Sequence, residues 1–156
     1  MTTPVLYLED LTVGQTFESR SHTLDAAQIK SFAAQFDPQF FHLDEEAAKD
    51  SLFAGLAASG WHVAAVTMRL MVECSPIAGG LIGASAEIAW PRPTRPGDTL
   101  RVVCEVAEIT PSRSRPERGM VLMRSTTFNQ SNDIAQTMSS RMVVPRRTVP
   151  APETAT

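Results

Sequence analysis

The sequence predicts an α+β domain in which a bent antiparallel sheet wraps around one central, apolar helix. Three observations carry that expectation. Residues 60–74 form a mostly apolar helical stretch opening at Ser59-Gly60, and a helix with so few polar faces needs cover on most sides. Four β-rich runs follow at 81–90, 99–109, 120–129 and 134–144, separated by turn signals at Pro96-Gly97-Asp98, 113–119 and 129–133. The order of elements, one early strand, then helices, then strands in succession, belongs to α+β rather than βαβ architecture.

Each element has its own justification. Apolar residues at 5–11 lead into residues 14–23, whose Thr and Phe content favours a strand. Asp25 is placed to cap a helix running to about Phe36, with Ile29, Phe32, Ala33 and Phe36 at helical spacing. Pro38 stops it by disfavouring helical geometry at Asp37. Asp44-Glu45-Glu46-Ala47-Ala48-Lys49 reads as a short helix with Asp44 as its cap and acids in its first turn. In the strands, alternation is clear in Leu100, Val102, Cys104 and Val106, and in Val121, Met123, Ser125 and Thr127, which marks half-buried antiparallel strands. The domain is expected to span 1–147, followed by a proline-bearing, non-periodic tail at 148–156 that should be mobile.

Composition narrows the functional classes. At 156 residues, 43% hydrophobic and 20% charged, the chain suits one globular domain with a real core and leaves room for a further surface buried in an oligomer. Cys74 and Cys104 lack metal or redox spacing and read as small core residues of a reduced, cytosolic protein. His22, His42 and His62 form no ligand pattern, so no metal site is expected. Met-Thr-Thr-Pro opens no signal peptide, and Arg69 and Glu73 interrupt the central helix too early for a membrane span, so a cytoplasmic setting is the expectation. Residues 1–91 hold 4 basic and 11 acidic side chains, residues 92–156 hold 10 and 6, and every basic residue of the second part is Arg. Scattered arginines without aromatic interleaving, in a chain of pI about 5.6, argue against nucleic acid. The cluster Arg113, Arg115 and Arg118 is divided evenly between contact with substrate phosphates and a solvated hairpin tip.

The segment richest in chemistry is Phe36-Asp37-Pro38-Gln39-Phe40-Phe41-His42-Leu43-Asp44. A carboxylate and an imidazole stand five residues apart among bulky aromatics, a setting that should raise the proton affinity of Asp37 and strengthen an Asp–His bond. Taken alone, Asp-Pro is a common helix stop and such a His is often a satisfied hydrogen-bonder. The helix opening at Ser59-Gly60 adds unpaired N–H groups and a positive dipole end suited to an oxyanion. Acid–base loop and glycine-opened helix together read as a catalytic pair.

On these residues the chain resembles the MaoC-like dehydratases, the (R)-specific enoyl-CoA hydratases of the hot-dog fold. Asp37, His42 and Asp44 fall on the family's Asp-x-Asn-Pro-x-His-x-Asp loop, Gly60 on the glycine that opens its central helix, and Pro93-Thr94-Arg95-Pro96-Gly97-Asp98 resembles its turn between two long strands. The resemblance covers roughly 5–147. It departs where Phe36 replaces a glycine, Gln39 replaces the Asn, Pro38 sits directly after Asp37, and Ala65 stands where some members carry a serine. The resemblance implies addition of water to, or its removal from, an acyl-CoA thioester, with Asp37 and His42 catalytic and the Gly60 N–H polarising the carbonyl. It implies syn addition giving an (R)-3-hydroxyacyl-CoA, no metal or organic cofactor, and a homodimer paired sheet edge to sheet edge.

Candidate substrate-binding residues are Phe41, Ser59, Trp61, His62, Arg92 and Arg95. His62 has a second reading as a buried helix residue bonded to a carbonyl, and that structural role is favoured because the dyad already supplies proton chemistry. Phe40, Phe41, Phe53, Trp61 and Met71 either shorten the acyl pocket or are ordinary core. Rival functions are an acyl-CoA thioesterase on the same fold, a non-catalytic acyl-CoA-binding protein, and a subunit working beside a paralogue.

Overall fold

A computed structural model describes residues 2–147; the expected tail at 148–156 lies outside the described residues. Among the described residues the strands are β1 (Thr16–Glu18), β2 (His22–Thr23), β3 (Ile82–Ala89), β4 (Thr99–Pro111), β5 (Arg118–Phe128) and β6 (Ile134–Pro145), and the helices are a 3-10 turn at Leu8–Asp10 and α1 (Ala26–Phe36), α2 (Phe40–Leu43), α3 (Glu45–Ala48) and α4 (Gly60–Cys74). The sheet is antiparallel with order β1-β4-β5-β6-β3, and β2 also pairs with β4. A curled antiparallel sheet around one helix is the hot-dog arrangement, as expected.

Local chemistry explains most boundaries. Asp25 caps α1 by accepting from Gln28 N at 2.8 Å, and Asp44 caps α3 by accepting from Ala47 N at 2.9 Å. Ser59 caps α4, accepting from Trp61 N at 3.2 Å. Two elements differ from expectation. The single strand at 14–23 is broken in two because Ser19 ends β1 by pairing both ways with Val102: its N–H donates to the Val102 carbonyl and its hydroxyl accepts from Val102 N. The loop after Pro38 contains one helical turn, α2, a feature too short for periodicity to register.

The inner face of the sheet supplies Val102, Cys104, Val106, Val121, Met123 and Met138 to a core completed by Leu70 and Met71 of α4. Register shifts at Gly83/Ser85, Val106/Glu108 and Thr127/Phe128 bend the strands around the helix. Thr67 of α4 and Thr127 of β5 share a buried hydrogen bond of 2.7 Å, which ties the helix to the sheet at a fixed height. A second cluster, with Leu24, Ile29, Leu56, Val63 and Leu100, packs α1 and the 56–58 segment against the first turn of α4. The expected cover on most sides of α4 is not met by the described residues of one chain. Trp61, Met68 and Val72 are exposed along its outer side, and among the described residues β3 has a sheet neighbour on one edge only.

Candidate active site

Asp37 is the C-cap of α1, and His42 lies in the single turn of α2 directly after it. Pro38 turns the chain so that the two side chains face each other: Nε2 of His42 lies 3.2 Å from Oδ2 of Asp37. The other ring nitrogen, Nδ1, is 2.6 Å from the carbonyl oxygen of Ala57. A carbonyl only accepts, so Nδ1 carries a hydrogen and Nε2 is the atom through which His42 exchanges protons.

Two donors and the His42 ring converge on the carboxylate. Gln39 Nε2 donates to Oδ1 at 2.6 Å, Ser59 Oγ donates to Oδ2 at 2.7 Å, and His42 Nε2 approaches Oδ2 from the other side. Burial pushes the proton affinity of Asp37 up, but the bonds from Ser59 and Gln39 and the charge and hydrogen bond of His42 outweigh it, holding the carboxyl below its ordinary value. This corrects the expectation of a raised affinity. Phe36 and Phe40 turn outward, 69% and 52% exposed, so they do not wrap the carboxylate. The aromatic packing falls on the imidazole instead, with Phe41 edge-on at 4.5 Å and Phe53 at 6.1 Å.

His42 opens into a cleft of about 430 Å³. It is lined by Gln39, Phe41 and Phe53, by Ala58, Gly60 and Val63 around the start of α4, and by Trp90, Arg92 and Thr94. Ser59 takes the Trp61 N–H with its hydroxyl and the His62 and Val63 N–H groups with its carbonyl, leaving the Gly60 amide outside that capping set. A Cβ on Gly60 would sit 2.8 Å from the Trp90 indole. Glycine is required here by the indole, which is itself held by a 2.8 Å bond from Nε1 to Gln136 Oε1.

The remaining sequence candidates divide. Phe41 and Arg92 line the cleft, Arg92 also pairing with Asp133 at 3.3 Å on the surface. Arg95 does not reach the cleft: its guanidinium donates to the carbonyls of Phe53, Gly55 and Leu56 and braces that loop. Trp61 is 61% exposed and meets Trp90 edge-on. His62 is buried on the α1 side, stacked on Phe32 at 4.6 Å, with Nδ1 lacking a partner among the described residues; the carbonyl bond expected for it is absent. Burial pushes its proton affinity down. Arg113, Arg115 and Arg118 occupy the β4–β5 hairpin. The cleft adjoins the opposite end of β4, and the 13 residues between correspond to roughly 40 Å of strand. Within one chain that cluster is a solvated hairpin tip.

Two cleft residues carried little sequence signal. Trp90 stands thirty positions from the glycine it covers, and Thr94, whose buried hydroxyl has no partner among the described residues, looked like part of a turn. Among the described residues no group of three or more His, Cys, Asp or Glu side chains is arranged to hold a metal ion, and no helix is long and apolar enough to cross a membrane.

A curled antiparallel sheet around a central helix defines a hot-dog domain. The chain belongs to the family described as MaoC like domain, which matches residues 10–127. It is 56% identical to a MaoC-like dehydratase from Rhodospirillum rubrum of known structure, with a TM-score of 0.90 over 92% of this chain and 99% of that one. It is 32% identical over 125 residues to the uncharacterized protein YdeM of Bacillus subtilis, covering 79% of this chain and 87% of that protein. A 3-hydroxybutyryl-CoA dehydratase of Methylorubrum extorquens is 32% identical over 112 residues, covering 71% and 70% of the two chains.

Proposed function

We propose that this protein is an enoyl-CoA hydratase and 3-hydroxyacyl-CoA dehydratase acting on a short acyl chain and forming the (R)-3-hydroxy product. The observation that carries the reading is the Asp37–His42 contact, with His42 lining the same cleft as Gly60. The relative that is a 3-hydroxybutyryl-CoA dehydratase supports the substrate class.

The substrate thioester lies in the cleft with its carbonyl oxygen toward the Gly60 N–H, which stabilises the enolate as it forms. A water held by Asp37, with His42 beside it, attacks C3. Its proton passes to the pair, and the pair delivers a proton to C2 on the same face, so water adds syn and the pair ends as it began. Dehydration runs the same steps backwards. The thioester itself delocalises the developing charge, so no cofactor is invoked. Arg92 and Thr94 are the cleft residues best placed by type to meet polar parts of the substrate.

We place the enzyme as a homodimer joined through the unpaired edge of β3 and the exposed Trp61, Met68 and Val72 side of α4, an apolar surface of the kind that marks an interface. Incubation with crotonyl-CoA and, separately, a saturated acyl-CoA tests the reading. Loss of the enoyl chromophore without thiol release is expected; thiol release from the saturated ester would make the protein a thioesterase, and inertness toward both an acyl-CoA-binding protein.

A further inference from the structure

The donors around Asp37 define more than a dyad. A carboxylate offers about four acceptor sites, two per oxygen. Gln39 takes one on Oδ1, and Ser59 and His42 take both on Oδ2. One site is left, on Oδ1, the oxygen shared with a cleft-lining residue. We propose that Ser59 and Gln39 are positioning residues that clamp Asp37 ionised in one orientation and leave a single acceptor site on Oδ1 for the water that is activated.

The clamp also locates the proton of the pair. With Nδ1 of His42 donating to Ala57, a neutral imidazole would point a lone pair at Oδ2, which faces it with lone pairs of its own. The 3.2 Å contact is attractive when Nε2 carries a hydrogen and Asp37 is a carboxylate. In hydration, resting on the function proposed above, Oδ1 takes the proton of the attacking water while Nε2–H gives its proton to C2. Asp37 is then protonated and His42 neutral, and transfer of that proton to Nε2 restores the starting pair. One water is consumed, one C–O and one C–H bond are formed, and no oxidant or further reactant is needed.

Ser59 is fully buried and also caps α4, so its removal risks the helix as well. Gln39 is exposed, and among the described residues its side-chain amide bonds only Asp37, which makes it the cleaner probe.

The test uses Gln39→Leu, Ser59→Ala and Ser59→Thr in the full chain. Asp37 carries a 13C-labelled carboxyl and is titrated by NMR without substrate, and crotonyl-CoA hydration is followed against pH. Removing either donor should move the Asp37 titration midpoint upward, and with it the acid limb of kcat. At neutral pH kcat should fall about tenfold with KM changed by less than about twofold. Ser59→Thr, which keeps the hydroxyl, should restore both. An unmoved Asp37 midpoint in Gln39→Leu and in folded Ser59→Ala overturns the clamp. Wild-type protein inert to crotonyl-CoA overturns the hydratase reading alone, since the carboxyl titration decides the clamp without turnover.

Discussion

Nδ1 of His42 lies 2.6 Å from the carbonyl oxygen of Ala57, the residue two before the N-cap of α4. That bond fixes the imidazole from behind, so the geometry of the candidate dyad depends on the segment that also starts the central helix. It places the exchangeable proton of the ring on the side facing Asp37.

Asp37→Asn keeps the shape of the carboxylate but removes the base, and His42→Ala removes its partner. Each should lower turnover about a hundredfold or more, with melting behaviour close to wild type for the asparagine variant. Single-turnover hydration of crotonyl-CoA measures it. Near-normal rates in either would mean that the roles are misassigned.

Gly60→Ala should strain the cleft rather than the helix. Overpacking against the Trp90 ring costs about 1–3 kcal/mol, while alanine recovers up to about 1 kcal/mol of helix propensity. A net loss of about 1 kcal/mol is expected, with a change in tryptophan fluorescence. Adding Trp90→Leu should relieve it, and a double-mutant cycle by chemical denaturation shows whether the two positions couple.

Arg92 and Arg95 should separate by what they change. Arg95→Met cuts the bonds to the carbonyls of Phe53, Gly55 and Leu56 and should destabilise the fold by about 2 kcal/mol. Arg92→Gln should leave the melting temperature unchanged and raise KM for a CoA ester several-fold. Equal melting temperatures for both variants would remove the bracing role from Arg95.

His62 gives a pH signature to stability. Burial disfavours its charged form, so the unfolded chain binds the proton more readily, and stability should decline as pH falls below the ordinary histidine value of 6.5 toward the lower folded value. In His62→Phe that part of the decline should vanish while activity persists. Thermal melts between neutral and mildly acidic pH check the slope, and collapsed activity in a well-folded variant would instead put His62 in the site.

Chain length follows from the cleft wall. Phe41 and Phe53 line it, whereas Phe40 and Trp61 are exposed and Met71 belongs to the core under the sheet. Two phenylalanines close to His42 favour a four-carbon substrate over a twelve-carbon one. A specificity constant for enoyl-CoA esters that rises steadily to twelve carbons would contradict this.

The fold was readable because its signals are local. Asp25, Asp44 and Ser59 announce helix starts by their own hydrogen-bonding chemistry, and strict alternation in β4 and β5 marks the inner face. The split between β1 and β2 was hidden because Ser19 pairs with Val102, far along the chain. The proximity of Asp37 and His42 follows from five-residue spacing and Pro38. The state of Asp37 does not, because Ser59 reaches it from another element and the neighbouring phenylalanines turn away. Arg95 shows the same limit: an arginine in a turn looks free until three carbonyls are folded onto it.

The configuration of the hydration product tests the central claim most directly. Crotonyl-CoA incubated with the protein in heavy water should give (R)-3-hydroxybutyryl-CoA carrying one deuterium at C2, added from the same face as the hydroxyl. Asp37→Asn should form it at less than about a hundredth of the rate. An (S) product, anti addition, or release of free thiol in place of hydration would contradict the account.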